Sequence, residues 1–269
     1  MLPRMDRIVR WIDGKDELRA SLVEAGDVAE HLRGLHGIAP EDVEPFFQTL
    51  LGALLFAQDL KSHQTLSLQV EHDGHAWHAD ATTEGLVRAM PSGSSWRDSG
   101  FRITVRRMGP QGIIYQSVVE SREASALWAL REYLEISEQS PAHISCFVDL
   151  SQKRVEAFLL RGFPNTPVEI LSTALVAVDA MTPSVPVKQF LEAASPGRWD
   201  ILAETKIEHH CPCSRERAAA SLATLGTAEL EEAASREGEL EVFCDFCRTR
   251  YVFPAAELLA LSARISAPN

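Results

Sequence analysis

The chain has 269 residues, 45% of them hydrophobic and 24% charged, with 38 Asp and Glu against 26 Lys and Arg for a formal net charge of −12. That balance fits a soluble protein with one large domain or a domain plus a smaller module, and its acidity argues against a nucleic-acid footprint, which needs a basic face. The longest apolar stretch, Thr49 to Ala57, falls short of the ~20 residues that cross a bilayer, and the charged opening MLPRMDRIVRWIDGKDE carries no secretory signal, so a cytoplasmic chain without a membrane partner is expected.

In chain order, residues 16–36 read as a helix. So do 40–60, where Phe46, Phe47, Leu50, Leu51, Leu54 and Leu55 form a broad apolar stripe at i, i+3/i+4 spacing. The period then changes to two. Leu66, Leu68 and Val70 alternate with polar residues ahead of Asp73-Gly74, a strong hairpin turn. A second hairpin is predicted over FRITVRRMGPQGIIYQSVV, turning between Gly109 and Gly112. A helix over 123–137 carries Leu127, Leu130 and Leu134, and HISCFVDLSQKRVEAFLL forms a third hairpin with Ile144, Cys146, Val148 and Leu150 on one face. Strands grouped together with helices at either end predict an α+β domain over 1–165. Pro164, Pro167, Pro183, Pro186 and Pro196 then punctuate short apolar runs, so 166–206 reads as a helical linker packed on that domain. The remainder, 207–269, is a small module holding six Lys and Arg against ten Asp and Glu.

Four of the five cysteines lie in that module, Cys211 and Cys213 as C-x-C, then Cys244 and Cys247 as C-x-x-C. A cytoplasmic chain lives among reduced thiols, so permanent disulfides are disfavoured and clustered cysteines read as metal-binding or redox-active. Four thiolates suit one tetrahedral Zn2+, two from each tight turn. A thioredoxin-like catalyst is a poorer match. CDFCRTRYVFP runs on into strand-like residues where that motif should open a helix, and the first pair would go unexplained. Between the pairs lie two helix-like segments, starting at Ser214 (a plausible N-cap) and Thr227, and the strand-like ELEVF. Arg215, Arg217, Arg248 and Arg250 beside the cysteines offset the two negative charges of a four-thiolate zinc site better than they suit phosphates, given the acidity of the module. His209 and His210 abut the first pair, but four cysteines already complete a tetrahedron. His72, His75 and His78 flank the Asp-Gly turn and read as a surface hairpin end, and Cys146 as a small core residue. No nucleophile triad, paired-carboxylate site, phosphate loop or dinucleotide fingerprint emerges, so no enzyme is expected.

These residues carry a resemblance. CPCSRERAAASLATLG followed by GELEVFCDFCRTRYVF is similar to the zinc module of the bacterial thirty-three-kilodalton heat-shock chaperonin family, the redox-regulated holdases. YLEISEQSP, Tyr133 to Pro141, resembles the family's Y-hydrophobic-x-x-SEQ-x-P stretch, and LLFAQDLK fits its first domain. The chain departs from the pattern at Ser117, where the family has glycine, and at EAFLLRGFP, where it has a Gly-rich stretch. The resemblance implies zinc ligation by Cys211, Cys213, Cys244 and Cys247 in a quiescent reduced form. It implies that oxidation pairs Cys211 with Cys213 and Cys244 with Cys247, releases zinc, unfolds module and linker, and yields a dimerising holdase that captures unfolding clients without ATP. The alternative is a constitutive zinc-ribbon adaptor for a protein or nucleic-acid partner, from which zinc never leaves.

Overall fold

The computed structural model describes residues 5–15, 17–182, 184–236 and 238–266, so the outermost residues of the expected domains 1–165 and 207–269, and Pro183, lie outside it. The chain divides into two units, residues 1–210 and 211–269. In the first, β1 (Arg7–Asp13) and β2 (Leu18–Glu24) form an opening hairpin, followed by α1 (Gly26–His36) and, after one 3-10 turn, α2 (Val43–Ala57). Next come β3 (Thr65–His72), β4 (His75–Thr82), β5 (Leu86–Gly93), β6 (Phe101–Gly109) and β7 (Gly112–Ser121). Then α3 (Ala126–Ile136) leads to β8 (Ala142–Asp149), β9 (Arg154–Gly162), α4 (Val168–Asp179), α5 (Val187–Ala194), β10 (Trp199–Lys206) and β11 (Glu208–His209). The second unit holds α6 (Arg215–Leu222), α7 (Thr227–Arg236), β12 (Glu239–Phe243), β13 (Arg250–Pro254) and α8 (Ala255–Ser266). The fold class is α+β, as the grouping of strands and helices implied.

Two sheets share one central helix. The first has the order β10-β1-β2-β9-β8, and the second β11-β5-β4-β3-β6-β7. All pairings are antiparallel except the parallel one between β11 and β5. Helix α2 packs on β3, β4 and β5 of one sheet and on β2, β8 and β9 of the other, and every residue from Phe46 to Ala57 is buried. A helix apolar on all sides belongs in such a place. The turn after β3 follows its residues: Asp73 and Gly74 both take positive φ, 39° and 88°, and His72 pairs with His75 across them.

The segment expected to be one helix over 16–36 is a strand followed by a helix. LRASLVE pairs along its whole length with β9, and the sharp junction uses Gly26, where a Cβ would lie 2.1 Å from the Lys153 carbonyl oxygen. Residues 166–206, expected to be a helical linker, contain the helices α4 and α5, but they end in strand β10, paired with β1. Helices α4 and α5 cover the face of the first sheet turned away from α2. Ala174, Leu175, Val178, Phe190 and Leu191 pack there with Leu18, Ala20, Phe158 and Leu160. Alternation explains why β9 is buried almost throughout: Ala157 and Leu159 face the main core, while Phe158 and Leu160 face α4 and α5. Val176 is 71% exposed, so it is no part of that covered surface.

A polar latch closes the far end of α4. Asp179 Oδ1 sits 2.5 Å from His143 Nδ1 on β8, and both Asp179 oxygens accept from Arg131 on α3 at 3.0 Å. The His143 ring lies against Phe158 and against Phe190 of α5, and its Nε2 is buried without a partner. Burial pushes the His143 imidazole down from its ordinary value, outweighing the attraction of Asp179. The docked state therefore favours neutral His143, whose Nδ1–H donates to Asp179. Once α4 and α5 lift off, the ring regains its ordinary value of about 6.5, so docking is undisturbed above that pH and weakens below it. Asp179, held below the usual carboxylate range by His143 and Arg131 against the opposing effect of burial, adds a further loss in stronger acid.

Two outcomes follow for hydrogen exchange. Protection of 168–194 is expected to fall as the pH drops below about 6.5 while that of α2 persists. Asp179→Ala is expected to weaken docking at neutral pH by about 1.5–3 kcal/mol, the range for losing hydrogen bonds to a charged group. Protection of 168–194 that does not change with pH or with Asp179→Ala would contradict the latch.

Candidate metal centre

In the second unit a two-stranded ribbon presents one pair of cysteines and a helix start presents the other. Strand β12 delivers Cys244, and the turn to β13 closes with Cys244 N–H donating to the Thr249 carbonyl at 3.0 Å and Arg248 N–H to the Cys244 carbonyl at 2.7 Å. Arg248 takes a left-handed φ of 57° to make this turn, an uncommon conformation for a residue with a side chain. The backbone N–H groups of Phe246 and Cys247 are directed at the Cys244 sulfur, and the Thr249 hydroxyl lies 3.1 Å from Cys247 Sγ. Cys211 and Cys213 precede α6, whose N-cap is Ser214, its hydroxyl accepting from Arg217 N–H. The Arg217 guanidinium donates to the Pro212 carbonyl at 2.9 Å, fixing the residue between the two cysteines.

All four sulfurs come together. Their Sγ atoms lie within 4.8 Å of one another, and among the described residues this is the only such group of possible ligands. Cys213 and Cys247 are 3.3 Å apart, and Cys211 and Cys244 3.7 Å. Sulfurs at about 2.3 Å from a tetrahedral zinc would be separated by about 3.8 Å, whereas a disulfide brings them to about 2.05 Å. The spacing is that of ligands around an ion. The hydrogen bonds point the same way, since Tyr251 OH donates to Cys213 Sγ at 3.1 Å and thiolates are the better acceptors.

Charge explains why the arrangement calls for a cation. Burial pushes the Cys244 thiol up to about 12. At Cys213 the Tyr251 hydroxyl favours the thiolate, but burial and the neighbouring sulfurs of Cys247 and Cys211 raise the thiol overall. Burial opposes ionisation of Cys247 too, but the Thr249 hydroxyl and backbone, with the Cys213 and Cys244 sulfurs, bring its thiol down to about 7. Four thiolates in this space repel one another, and a bound divalent ion reverses that balance.

The remaining sequence candidates disperse. His209 packs its ring against His31 in the first unit, at 4.7 Å between centroids. His72 contacts the Gly100 carbonyl, His75 contacts Asp42 and His78 contacts Ser92, so the three flank a turn and share no ligand. Cys146 packs against the main core, where burial pushes its thiol up and out of the reactive range. The arginines beside the cysteines have local partners: Arg215 holds Glu257 and the Val252 carbonyl, Arg250 holds Glu241, and Arg248 lies 4.0 Å from Asp245. Ser117, at a departure from the family pattern, bonds the Ser137 hydroxyl at 2.6 Å. Sequence reasoning missed Tyr251 and Thr249 as sulfur partners. Their positions four and two residues after Cys247 were the available signal.

Fold and site together define an α+β protein with a clustered four-cysteine centre. The chain belongs to the family described as Hsp33 protein, whose model matches residues 6–254. It is 27% identical to the 33 kDa chaperonin of Pelobacter propionicus over 289 aligned residues, covering 96% of this chain and 94% of the relative. It is 24% identical to the 33 kDa chaperonin of Bacillus subtilis, covering 96% and 98%. A crystal structure of the 33 kDa chaperonin from Thermotoga maritima matches with a TM-score of 0.82 at 22% identity, covering 97% of this chain and 99% of that one, a likeness in fold. Family membership supports a chaperone function and with it the binding of client proteins, consistent with a binding protein in place of an enzyme. Among the described residues no helix is long and apolar enough to cross a membrane.

Metal analysis of the reduced chain is expected to give one equivalent of bound metal. Cys244→Ser and Cys247→Ser should each weaken its retention and loosen 211–266, while Cys146→Ser should leave it unchanged. A metal content that follows Cys146, or a second unit that folds equally well after chelation, would contradict the assignment.

Proposed function

We propose that this protein is a redox-regulated, ATP-independent holdase, kept quiescent by zinc on Cys211, Cys213, Cys244 and Cys247 and activated when those cysteines are oxidised in pairs. The observation that carries this reading is the meeting of two tight cysteine pairs in one sulfur cluster, in a unit with little core of its own. Among the described residues its buried core is Ala218, Leu222, Leu230, Ala234, Phe253 and Leu258, with partly buried side chains such as Leu240, Tyr251 and Leu261 against it. A module of about 60 residues commonly needs a staple. Bound zinc supplies it, at roughly 10–16 kcal/mol of apparent folding energy for structural sites in small peptides.

The chemistry of the pairs follows from their spacing. A two-electron oxidant such as hydrogen peroxide converts one thiolate to a sulfenic acid and is itself reduced to water or hydroxide. The neighbouring thiolate of the same pair then attacks that sulfur, the S–S bond forms, and the hydroxyl leaves as water with a proton from solvent. Each closure removes two of the four ligands, and two sulfurs cannot complete a closed tetrahedral site. Joining Cys211–Cys213 and Cys244–Cys247 leaves the two halves of the module unlinked, so the module opens.

The consequence for clients lies in the first unit. Helices α4 and α5 shield Leu18, Ala20, Phe158 and Leu160 on the outer face of the first sheet. Their departure would uncover a contiguous apolar surface of the kind that captures unfolding chains and drives dimerisation. The functional domains under this reading are a client-binding core over 1–165, a releasable linker over 166–206 and a cytoplasmic redox switch over 207–269.

Aggregation of a heat-denatured client such as citrate synthase, followed with reduced and peroxide- or hypochlorous acid-treated protein and no nucleotide, tests the reading. The oxidised form should suppress aggregation with release of zinc, and the reduced form should do so poorly. Equal suppression by both forms, or zinc retained throughout, would overturn the switch and favour a constitutive zinc-ribbon role.

A further inference from the structure

The YLEISEQSP stretch plays no part in the sulfur chemistry, yet its last residues line a cavity of about 820 Å³ in the first unit. Gln139, Ser140 and Pro141 form one side of it, and the start of α4 forms another. Gln139 takes a positive φ of 50° in that turn. Three guanidinium groups also line the cavity, Arg19 from β2, Arg107 from β6 and Arg161 from β9, against two carboxylates, Asp59 and Glu138.

The charges do not balance. Asp59 serves two arginines, accepting from Arg19 at 2.8 Å and from Arg161 at 2.5 Å. Glu138 accepts from Arg107 at 2.6 Å and from Tyr133 OH at 3.3 Å. The Arg161 side chain is only 6% exposed, and burial pushes its guanidinium down from its ordinary value, with Arg19 adding to the effect against the pull of Asp59. A fourth arginine, Arg10, lines a smaller adjoining cavity of about 110 Å³ that shares Arg19, Asp59 and Arg161 with the first. Arg10, Arg19 and Arg107 each have a buried Nε–H with no acceptor. Buried donors left without acceptors are rare and call for a missing partner. Those of Arg19 and Arg107 belong to side chains that line this cavity, where three guanidinium groups stand beside two carboxylates, in a chain whose net charge is −12.

The walls also say what kind of anion fits. Guanidinium clusters select phosphate or carboxylate oxygens. The cavity is larger than a bare oxyanion requires, and Pro141, Phe163, Leu171 and Leu175 give it an apolar side. Helix α4 starts at its rim, behind Pro167, with no side-chain cap on its first turn, so its positive end also favours an anion. Glu169 in that turn is the opposing charge.

We propose that this cavity binds an organic phosphate, a phosphate monoester with an apolar or planar body, its phosphate among Arg19, Arg107 and Arg161 and its body against Phe163, Leu171 and Leu175. Because the walls come both from the sheets and from α4, the bound ligand bridges the two and holds α4 in place. The site needs no redox step, so it stands or falls separately from the switch.

Reduced full-length protein titrated calorimetrically with adenosine monophosphate, inorganic phosphate and adenosine provides the test. Adenosine monophosphate is expected to bind, inorganic phosphate more weakly, and adenosine not detectably. Arg107→Gln, at a partly exposed position, should weaken adenosine monophosphate by about tenfold or more without altering metal content, with Arg107→Lys partly restoring it. Hydrogen exchange of 168–179 should slow on binding while that of 211–266 stays the same. No binding of adenosine monophosphate at millimolar concentration, equal binding of adenosine, or affinity indifferent to Arg107→Gln would overturn the proposal. Inorganic phosphate binding as tightly as the monoester would overturn the role given to the apolar wall.

Discussion

Four sulfur atoms within 4.8 Å of one another form a cluster that a small module cannot hold as thiolates unaided. Mutual repulsion and burial oppose ionisation, as the raised Cys244 and Cys213 thiols show, while the hydrogen bonds from Tyr251, Thr249 and the backbone of the second turn favour it. A cation resolves the conflict. Once it does, the turn after β12 and the start of α6 have a common anchor. Among the described residues the core of the second unit contains no buried side chain larger than Phe253, and a core that small commonly needs a staple.

The elements of the first unit are unevenly enclosed. Helix α2 is enclosed by both sheets and sets the durable centre. Toward the end of the unit the elements become progressively less enclosed. Strand β11 has two residues, β10 is an edge strand that exposes Ile201 and Leu202, and α4 and α5 bury one apolar face each. Because β11 ends two residues before Cys211, a module that loses its anchor leaves the least protected end of the first unit next to an open chain. Local opening draws on such low-stability segments. The latch at Asp179 and the arginine-lined cavity sit at opposite ends of α4, which makes that helix the element on which acid and small anions act.

Much of this was legible in the residues. The apolar run of α2, the Asp-Gly hairpin, the turn at Gly109–Gly112 and the Ser214 cap each announce themselves through a local cause, and all lie where those causes place them. The sulfur cluster was legible because C-x-C and C-x-x-C present ligands whatever the surrounding fold. Strands β1, β2, β5 and β10 were not. Their residues mix small, charged and apolar types without strict alternation, since β2 is covered on both faces and β10 on an edge is barely covered at all. Tertiary pairing makes them strands. The arginine-lined cavity was equally hidden, because Arg19, Arg107 and Arg161 come from three strands far apart in the chain.

Mass spectrometric mapping of the disulfides formed as zinc leaves tests the central claim most directly. Cys213 lies 3.3 Å from Cys247 and Cys211 3.7 Å from Cys244, so bridges between the pairs, which would re-staple the module, are within reach. The account predicts Cys211–Cys213 and Cys244–Cys247, with 211–266 losing amide protection in step with zinc release. Bridges between the pairs, with 211–266 still protected, would contradict it.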